Sequence, residues 1–287
     1  MNTVNIYGQV SYGCSRLITS TYSSSFSSAI RLLHADLRAQ IYGIYGFVRV
    51  ADEIVDSFHD YDKRALLTQF KADTYRAIEE GISTNPILHS FQQVVNRYHI
   101  GHHLIDAFFD SMFTDLDKVK WENEKQLSEY IYGSAEVVGL MCLQVFCDGN
   151  YYLVEKLRDA ATALGAAFQK VNFLRDLQDD INGLGRQYFP GIDFNNFTTA
   201  QKKLVEADIL ADFERAAKGI HSLPEKARFG VLIAYQYYIC LFQKITKIHP
   251  HRLLSRRVSV PKIKKIALVL QLLMSRLLKI NRWQLSH

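Results

Sequence analysis

An all-α fold is predicted by three features of the 287-residue sequence. Only five prolines occur, Pro86, Pro190, Pro224, Pro250 and Pro261, so the first 85 residues lack the residue most hostile to helix interiors. Apolar residues recur at helical spacing through the chain. No internal repeat, low-complexity linker or composition break divides residues 1–225, which predicts one domain over 1–287 whose segment 250–287 is a basic extension.

Taken in order, helices are expected at 28–57, 63–81, 87–113, 124–147, 151–182, 199–218, 225–247 and 261–283. The prolines fall between these segments or at the first residue of one. In 28–57 the apolar set is Ile41, Ile44, Val48 and Val55, and in 151–182 it is Leu164, Phe168, Val171 and Leu174. The last segment combines Ile266, Leu268, Val269, Leu270, Leu272, Leu273 and Met274 with Lys262, Lys264, Lys265, Arg276, Lys279 and Arg282. Two readings of it stay open: an amphipathic helix lying in an anionic membrane surface, or a terminal helix packed on the bundle with a solvated basic face.

Apolar residues make up 48% of the chain, enough to fill a substantial core. Cys14, Cys142, Cys147 and Cys240 follow no zinc or short disulfide spacing, so buried thiols in a reducing cytoplasm are expected. The start, "MNTVNIYGQVSYGC", has no basic region followed by an apolar run and does not read as a secretory signal. No apolar stretch is long enough to span a bilayer. The net charge of +5 is uneven: after Glu225 come 13 basic residues and no acid, against 21 basic and 29 acidic residues over 1–225. No recognition module accompanies this charge, so nucleic acid is not expected as a partner.

Two helical faces are polar where a core face would be apolar. Tyr45, Arg49, Asp52 and Asp56 fall at i, i+4, i+7 and i+11. Gly165, Gln169, Asn172, Asp176 and Asp180 form a second such stripe. One acid pair four apart is ordinary on a solvated face. These stripes instead continue into aromatic, amide and small residues. If the helices face each other, their carboxylates repel across a desolvated space unless cations neutralise them. Hard oxygen donors without a histidine or cysteine cluster suit magnesium, with manganese as the alternative. Arg49 and Arg175 suit an anionic phosphate ester.

With these residues in view, the sequence resembles the squalene/phytoene synthase family. The matches are "YSSSFSSA", "YGFVRVADEIVD", "YIYGSAEVVGLM", "LGAAFQKVNFLRDLQDD", "GRQYFP", "YYICLFQKI" and "RRVSVPKIKKIAL", in the family's order over about residues 10 to 270. The resemblance implies an isoprenoid synthase helical bundle with a central cavity. It implies that Asp52 and Asp56 hold magnesium against one prenyl diphosphate, and Asn172, Asp176 and Asp180 against the other. Arg49 and Arg175 match diphosphate-binding residues. The segment Tyr22 to Ser25, with Ser23, matches a strand-like or loop element that touches substrate. Tyr45, Tyr130, Gln169 and Tyr238 match cavity positions near the reacting carbons, and Arg186 and Tyr188 a flap over the diphosphate. Departures stand at Gly133, where many relatives carry arginine, at Tyr22, where some carry histidine, and at Gln187, where an aliphatic residue is usual. Gly165, Ala135 and Gly139 could leave room for prenyl tails or serve close helix packing. The implied reaction is head-to-head condensation of two geranylgeranyl diphosphates to phytoene, with no NADPH expected. Squalene or dehydrosqualene formation from farnesyl diphosphate is the alternative, and a non-catalytic assembly factor of the same fold is a third reading. The expected location is cytoplasmic, including the inner face of the cell membrane.

Overall fold

A computed structural model describes residues 3–277 apart from 184 and 256. It consists of helices α1 (Thr3–Tyr22), α2 (Ser24–Arg31), α3 (Ala35–Asp56), α4 (Lys63–Glu80), α5 (Pro86–Tyr98), α6 (His102–Asp117), α7 (Glu124–Ile131), α8 (Val137–Phe146), α9 (Tyr151–Gly183), α10 (Thr199–Ile220), α11 (Glu225–Thr246), α12 (Pro250–Leu253) and α13 (Lys262–Leu277). Among the described residues there is no strand, only an isolated parallel bridge between Lys120 and Gln187. The all-α expectation holds. Lys279 and Arg282 lie outside the described residues.

Local chemistry sets several boundaries. Asn85 caps α5, its side chain accepting from the amides of Ile87 and Leu88, and Pro86 takes the first helical position. The helix expected over 87–113 breaks because His99 enters the left-handed region at φ 53° and ends α5. Helix 28–57 likewise divides at residues 32–34, where His34 precedes a new helix. Between α7 and α8 the chain stays helical but widens into a π turn, Tyr132–Glu136. A Cβ on Gly133 would lie 2.4 Å from the Ala107 carbonyl oxygen, so this turn meets α6 too closely for any side chain at 133.

The sequence reading missed α1. It buries Ser11, Ser15 and Thr19, all at 0% exposure, instead of an apolar stripe. These hydroxyls bond to Tyr7 O (2.8 Å), the Ser90 hydroxyl (2.7 Å) and Ser15 O (2.8 Å) respectively. Their small size lets α1 press on α3, where a Cβ on Gly46 would lie 2.7 Å from Ser15 Oγ.

The core runs through the whole bundle. One hub is Phe47, stacked on Phe91 at 3.8 Å and ringed by Phe70, Phe108 and Phe109. Helix α9 packs on α8, α10 and α11, while α3 packs on α1, α5 and α8. These neighbours leave α3 and α9 facing each other across a chamber instead of packed against each other. The cysteines are unpaired; Cys147 is buried and the other three half-buried.

Candidate active site

The chamber has a volume of about 520 Å³ and is walled by α2, α3, α8, α9 and α11. Helix α3 supplies Tyr45, Arg49, Asp52 and Asp56, and α9 supplies Gln169, Asn172, Arg175, Asp176 and Asp180. Tyr22, Ser23 and Ser25 come from the α1–α2 junction, Tyr130 from α7, Arg186 and Tyr188 from the loop after α9, and Tyr238 from α11. Every candidate site residue named from the sequence therefore lines one space. The expected strand-like or loop element at Tyr22 to Ser25 is no strand, and its loop is reduced to Ser23 alone. It is a one-residue junction in which Ser23 caps α2, its side chain accepting from the Phe26 amide. Short hydroxyl side chains favour such a cap.

Charge concentrates at one end of the chamber. Burial, and then the Asp56 carboxylate one helical turn away, push Asp52 up to about 7 against the pull of Arg49 and Arg186. Burial, and then Asp176, push Asp180 up to about 7, with Asp56 across the chamber adding to the rise. The two acidic faces thus lie in one electrostatic field. Arginines offset it in part. Arg175 donates through Nε to both oxygens of Asp176, at 2.9 and 3.0 Å, and Arg257 Nε donates to Asp176 Oδ1 at 2.6 Å. Arg49 pairs with Glu53, and its guanidinium lies 4.3 Å from the centroid of the Tyr22 ring. The Tyr238 hydroxyl donates to Asn172 Oδ1 at 3.2 Å and so orients that amide. Among the described residues, no group of three or more His, Cys, Asp and Glu side chains forms a metal cage.

The segment expected to be a flap is fastened. Arg186, with 8% of its side chain exposed, donates through Nη1 to Asp56 Oδ1 and through Nη2 to the Asp115 carbonyl, both at 3.1 Å. Its own amide donates to the Asp180 carbonyl at 2.8 Å. Next to it, the Gln187 amide donates to Val119 O at 2.7 Å, and Gln187 O accepts from the Trp121 amide at 3.4 Å. The backbone of Gln187 makes this bridge, which any residue but proline could do. Tyr188 stacks on Phe173 at 3.7 Å and on Trp121 at 4.9 Å. The loop therefore joins the two acidic helices and the α6–α7 connection.

Two charged lining residues, Asp115 and Arg257, escaped the sequence reading. Asp115, on α6, is almost wholly buried. Its Oδ2 accepts from the Tyr130 hydroxyl at 3.0 Å, and its Oδ1 has no hydrogen-bond partner. Burial pushes it up to about 7 although Arg186 and Tyr130 pull it down. In the sequence it stands with Asp110 and Asp117 in what reads as a solvated helix end. Arg257 was counted with the basic tail, yet it reaches Asp176, and the Val258 amide donates to the Arg175 carbonyl at 3.2 Å. The "RRVSV" match was the available signal for it.

Away from the charges the walls are apolar and aromatic. Phe168 stacks on Tyr238 at 3.8 Å, and Phe26 stands 5.4 Å from Tyr45 and 5.9 Å from Tyr238. A Cβ on Gly165 would lie 2.9 Å from Ala135 O, and one on Gly139 would lie 3.0 Å from Ala161 O. Both glycines line the chamber, but what their missing side chains permit is close packing of the π turn and α8 on α9.

With this geometry in view, residues 19–264 match the family described as Squalene/phytoene synthase. The chain belongs to that family. The squalene/phytoene synthase family comprises prenyltransferase-type head-to-head synthases. Among its members, the chain is 26% identical over 275 residues to a presqualene diphosphate synthase of Rhodopseudomonas palustris, covering 86% of this chain and 92% of that protein. It is 25% identical over 267 residues to a 15-cis-phytoene synthase of a Paracoccus species, with 86% of each covered. In structure it is similar to a dehydrosqualene synthase crystallised with a ligand, with TM-score 0.79 and 21% identity over 95% of this chain and 98% of that one. That likeness establishes the isoprenoid synthase fold.

Proposed function

We propose that this chain condenses two geranylgeranyl diphosphates head to head, through a cyclopropyl diphosphate, to phytoene. One observation carries the reading: two acidic helix faces and their arginines converge at one end of a chamber whose remainder is apolar and aromatic. The charged end suits two diphosphates and the apolar end two prenyl chains.

Magnesium fits the donors. Asp52 and Asp180 are oxygen ligands whose ionisation is opposed by burial and by a neighbouring carboxylate, a cost that a divalent cation removes. Asp52 and Asp56 would hold metal on one side, and Asn172, Asp176 and Asp180 on the other. When bound, the ion supplies Lewis-acid stabilisation of the departing diphosphate. The protein's own groups do the rest. Arg49, Arg175, Arg186 and Arg257 present donors to the diphosphate oxygens as negative charge builds on them, which lowers the barrier to ionisation. Ser23 and Ser25, at the α1–α2 junction, offer hydroxyls to the same groups. Tyr45, Phe168, Gln169 and Tyr238 enclose the reacting carbons. Their rings shield a carbocation from water, and the ring faces attract it. Tyr130, tied to Asp115, and Tyr188 close the chamber on the α6 side.

A second reading has its own support: the relative that is 26% identical over 275 residues is a presqualene diphosphate synthase. On that reading the chain takes farnesyl diphosphate and stops at the cyclopropyl intermediate or carries it on to squalene or dehydrosqualene. The test is to incubate purified protein with magnesium and either geranylgeranyl or farnesyl diphosphate, with and without NADPH, and to identify the extracted products. Phytoene from the longer substrate without NADPH is expected. A product made only from the shorter substrate assigns the second reading, and no product from either refutes both.

A further inference from the structure

Part of the chamber wall, at Ala29 and Ala234, is backed by α13. Its inner face is ordinary: Leu272 is buried with Ala29, Phe229 and Ile233, and Leu268 and Val269 pack against the same group. Its outer face is not. Ile263 is 82% and Leu270 57% exposed, with Ala267 exposed between them at i+4. A terminal helix packed on a bundle turns its polar side to water. This one turns out an apolar side.

Its charge is also misplaced for folding alone. Lys262, Lys264 and Lys265 stand in the first turn, which contains no acid, and the macrodipole is already positive there. No carboxylate follows Glu225 to offset them. The compensating negative charge must therefore come from outside this part of the chain.

We infer that α13 docks the protein on an anionic lipid surface, its outer apolar face in the headgroup–acyl boundary and its lysines on the lipid phosphates. Apolar area and basic charge on one helix are the two ingredients of interfacial binding. No described helix is long and apolar enough to cross a membrane, so α13 lies on the surface. A second copy is a poorer occupant, because pairing two α13 faces brings two lysine clusters together. The docked orientation has a consequence that rests on the proposed reaction. Ala29 and Ala234 line the chamber and also meet the α13 cluster, so the wall between chamber and α13 is thin there. A hydrocarbon product would leave by that seam between α2 and α11 into lipid.

The test needs no substrate, so it can fail independently of the proposed reaction. The full chain is floated with vesicles of phosphatidylcholine alone or mixed with phosphatidylglycerol, at low and raised salt. Wild type is expected to float with the anionic vesicles, and less so at raised salt. Leu270→Glu is expected to weaken partitioning by about tenfold or more, with unchanged circular dichroism because the side chain is exposed. Lys264→Glu is expected to weaken it on anionic vesicles only. Flotation of Leu270→Glu equal to wild type, or no flotation of either, overturns the inference. A wild-type dimer in light scattering that Leu270→Glu dissolves, without vesicle binding, assigns the face to a second copy instead.

Discussion

Helices α1 and α9 both turn polar side chains inward, and the contrast between them separates structure from chemistry. On α1, Ser11, Ser15 and Thr19 are fully buried, and each hydroxyl is bonded within the protein. A hydroxyl can donate to the carbonyl one turn back, so its burial needs nothing from outside. On α9 the inward groups are Asn172, Asp176 and Asp180. A carboxylate only accepts, and where it is buried its charge needs a cation beside it. Asp180 is accordingly pushed up to about 7, and Asp176 recruits Arg175 and Arg257. Buried polarity marks a site where the chain cannot satisfy it alone.

The largest effect should come from breaking the α9 side. Asp176→Asn keeps the shape and one acceptor oxygen but removes the charge that the two arginines face. Turnover is expected to fall by about a hundredfold or more, with the fold retained and the thermal midpoint lowered, because Arg175 and Arg257 lose their counterion. Retention of full activity would mean that the acidic faces are structural, as the α1 hydroxyls are.

The same contrast explains what the sequence revealed. The acidic stripes were legible because aspartates at i, i+4 beside tyrosine, glutamine and glycine do not look like a solvated face, and all the residues they suggested line the chamber. The α1 helix was not legible, because hydropathy cannot tell a buried serine from an exposed one. What marks Ser15 as buried is Gly46 opposite it, a tertiary relation. Asp115 was hidden for the converse reason. Three acids near the end of α6 look alike in sequence, and only folding turns one of them toward Tyr130 and Arg186. Arg257 depends on the chain returning across α9 after α12, which no local pattern encodes.

A second break tests α1 from the α3 side. A Cβ on Gly46 would lie 2.7 Å from Ser15 Oγ and 3.1 Å from Ser15 Cα, so Gly46→Ala must push the helices apart. The expected loss is about 2 kcal/mol in denaturant unfolding, with the turnover of the folded fraction retained. The prediction fails if the variant is as stable as wild type.

The contrast sharpens with pH. A carboxyl held near 7 in the folded protein and near 4 in the unfolded chain contributes stability that is complete below the lower value and lost as pH rises through the upper one. Asp52, Asp115 and Asp180 all lie about 7, so the metal-free protein should lose thermal stability between about pH 4 and 7 and level off above. Magnesium with inorganic diphosphate should flatten the Asp52 and Asp180 part of that slope. Asp115→Asn should remove its own part while leaving an oxygen for the Tyr130 hydroxyl. The reading is the difference in midpoint between pH 5 and pH 8, and an unchanged difference in Asp115→Asn would show that the side chain does not titrate in this window.

The smallest effect belongs to Ser15→Ala. It removes the 2.7 Å bond to the Ser90 hydroxyl, but Ser90 keeps its donation to the Ile87 carbonyl at 2.9 Å, so no donor is left unpaired. The methyl fits where the hydroxymethyl group stood, and it gives more room to Gly46. The expected cost is about 1 kcal/mol or less in denaturant unfolding, with turnover and magnesium dependence unchanged. A polar group that is satisfied at both ends can be deleted at little cost because its partner has other bonds. The charge on Asp176 has no such substitute, since each arginine that faces it would be left without its counterion. A Ser15→Ala variant that unfolds like wild type but turns over several-fold more slowly would move the α1 hydroxyls from packing into the site.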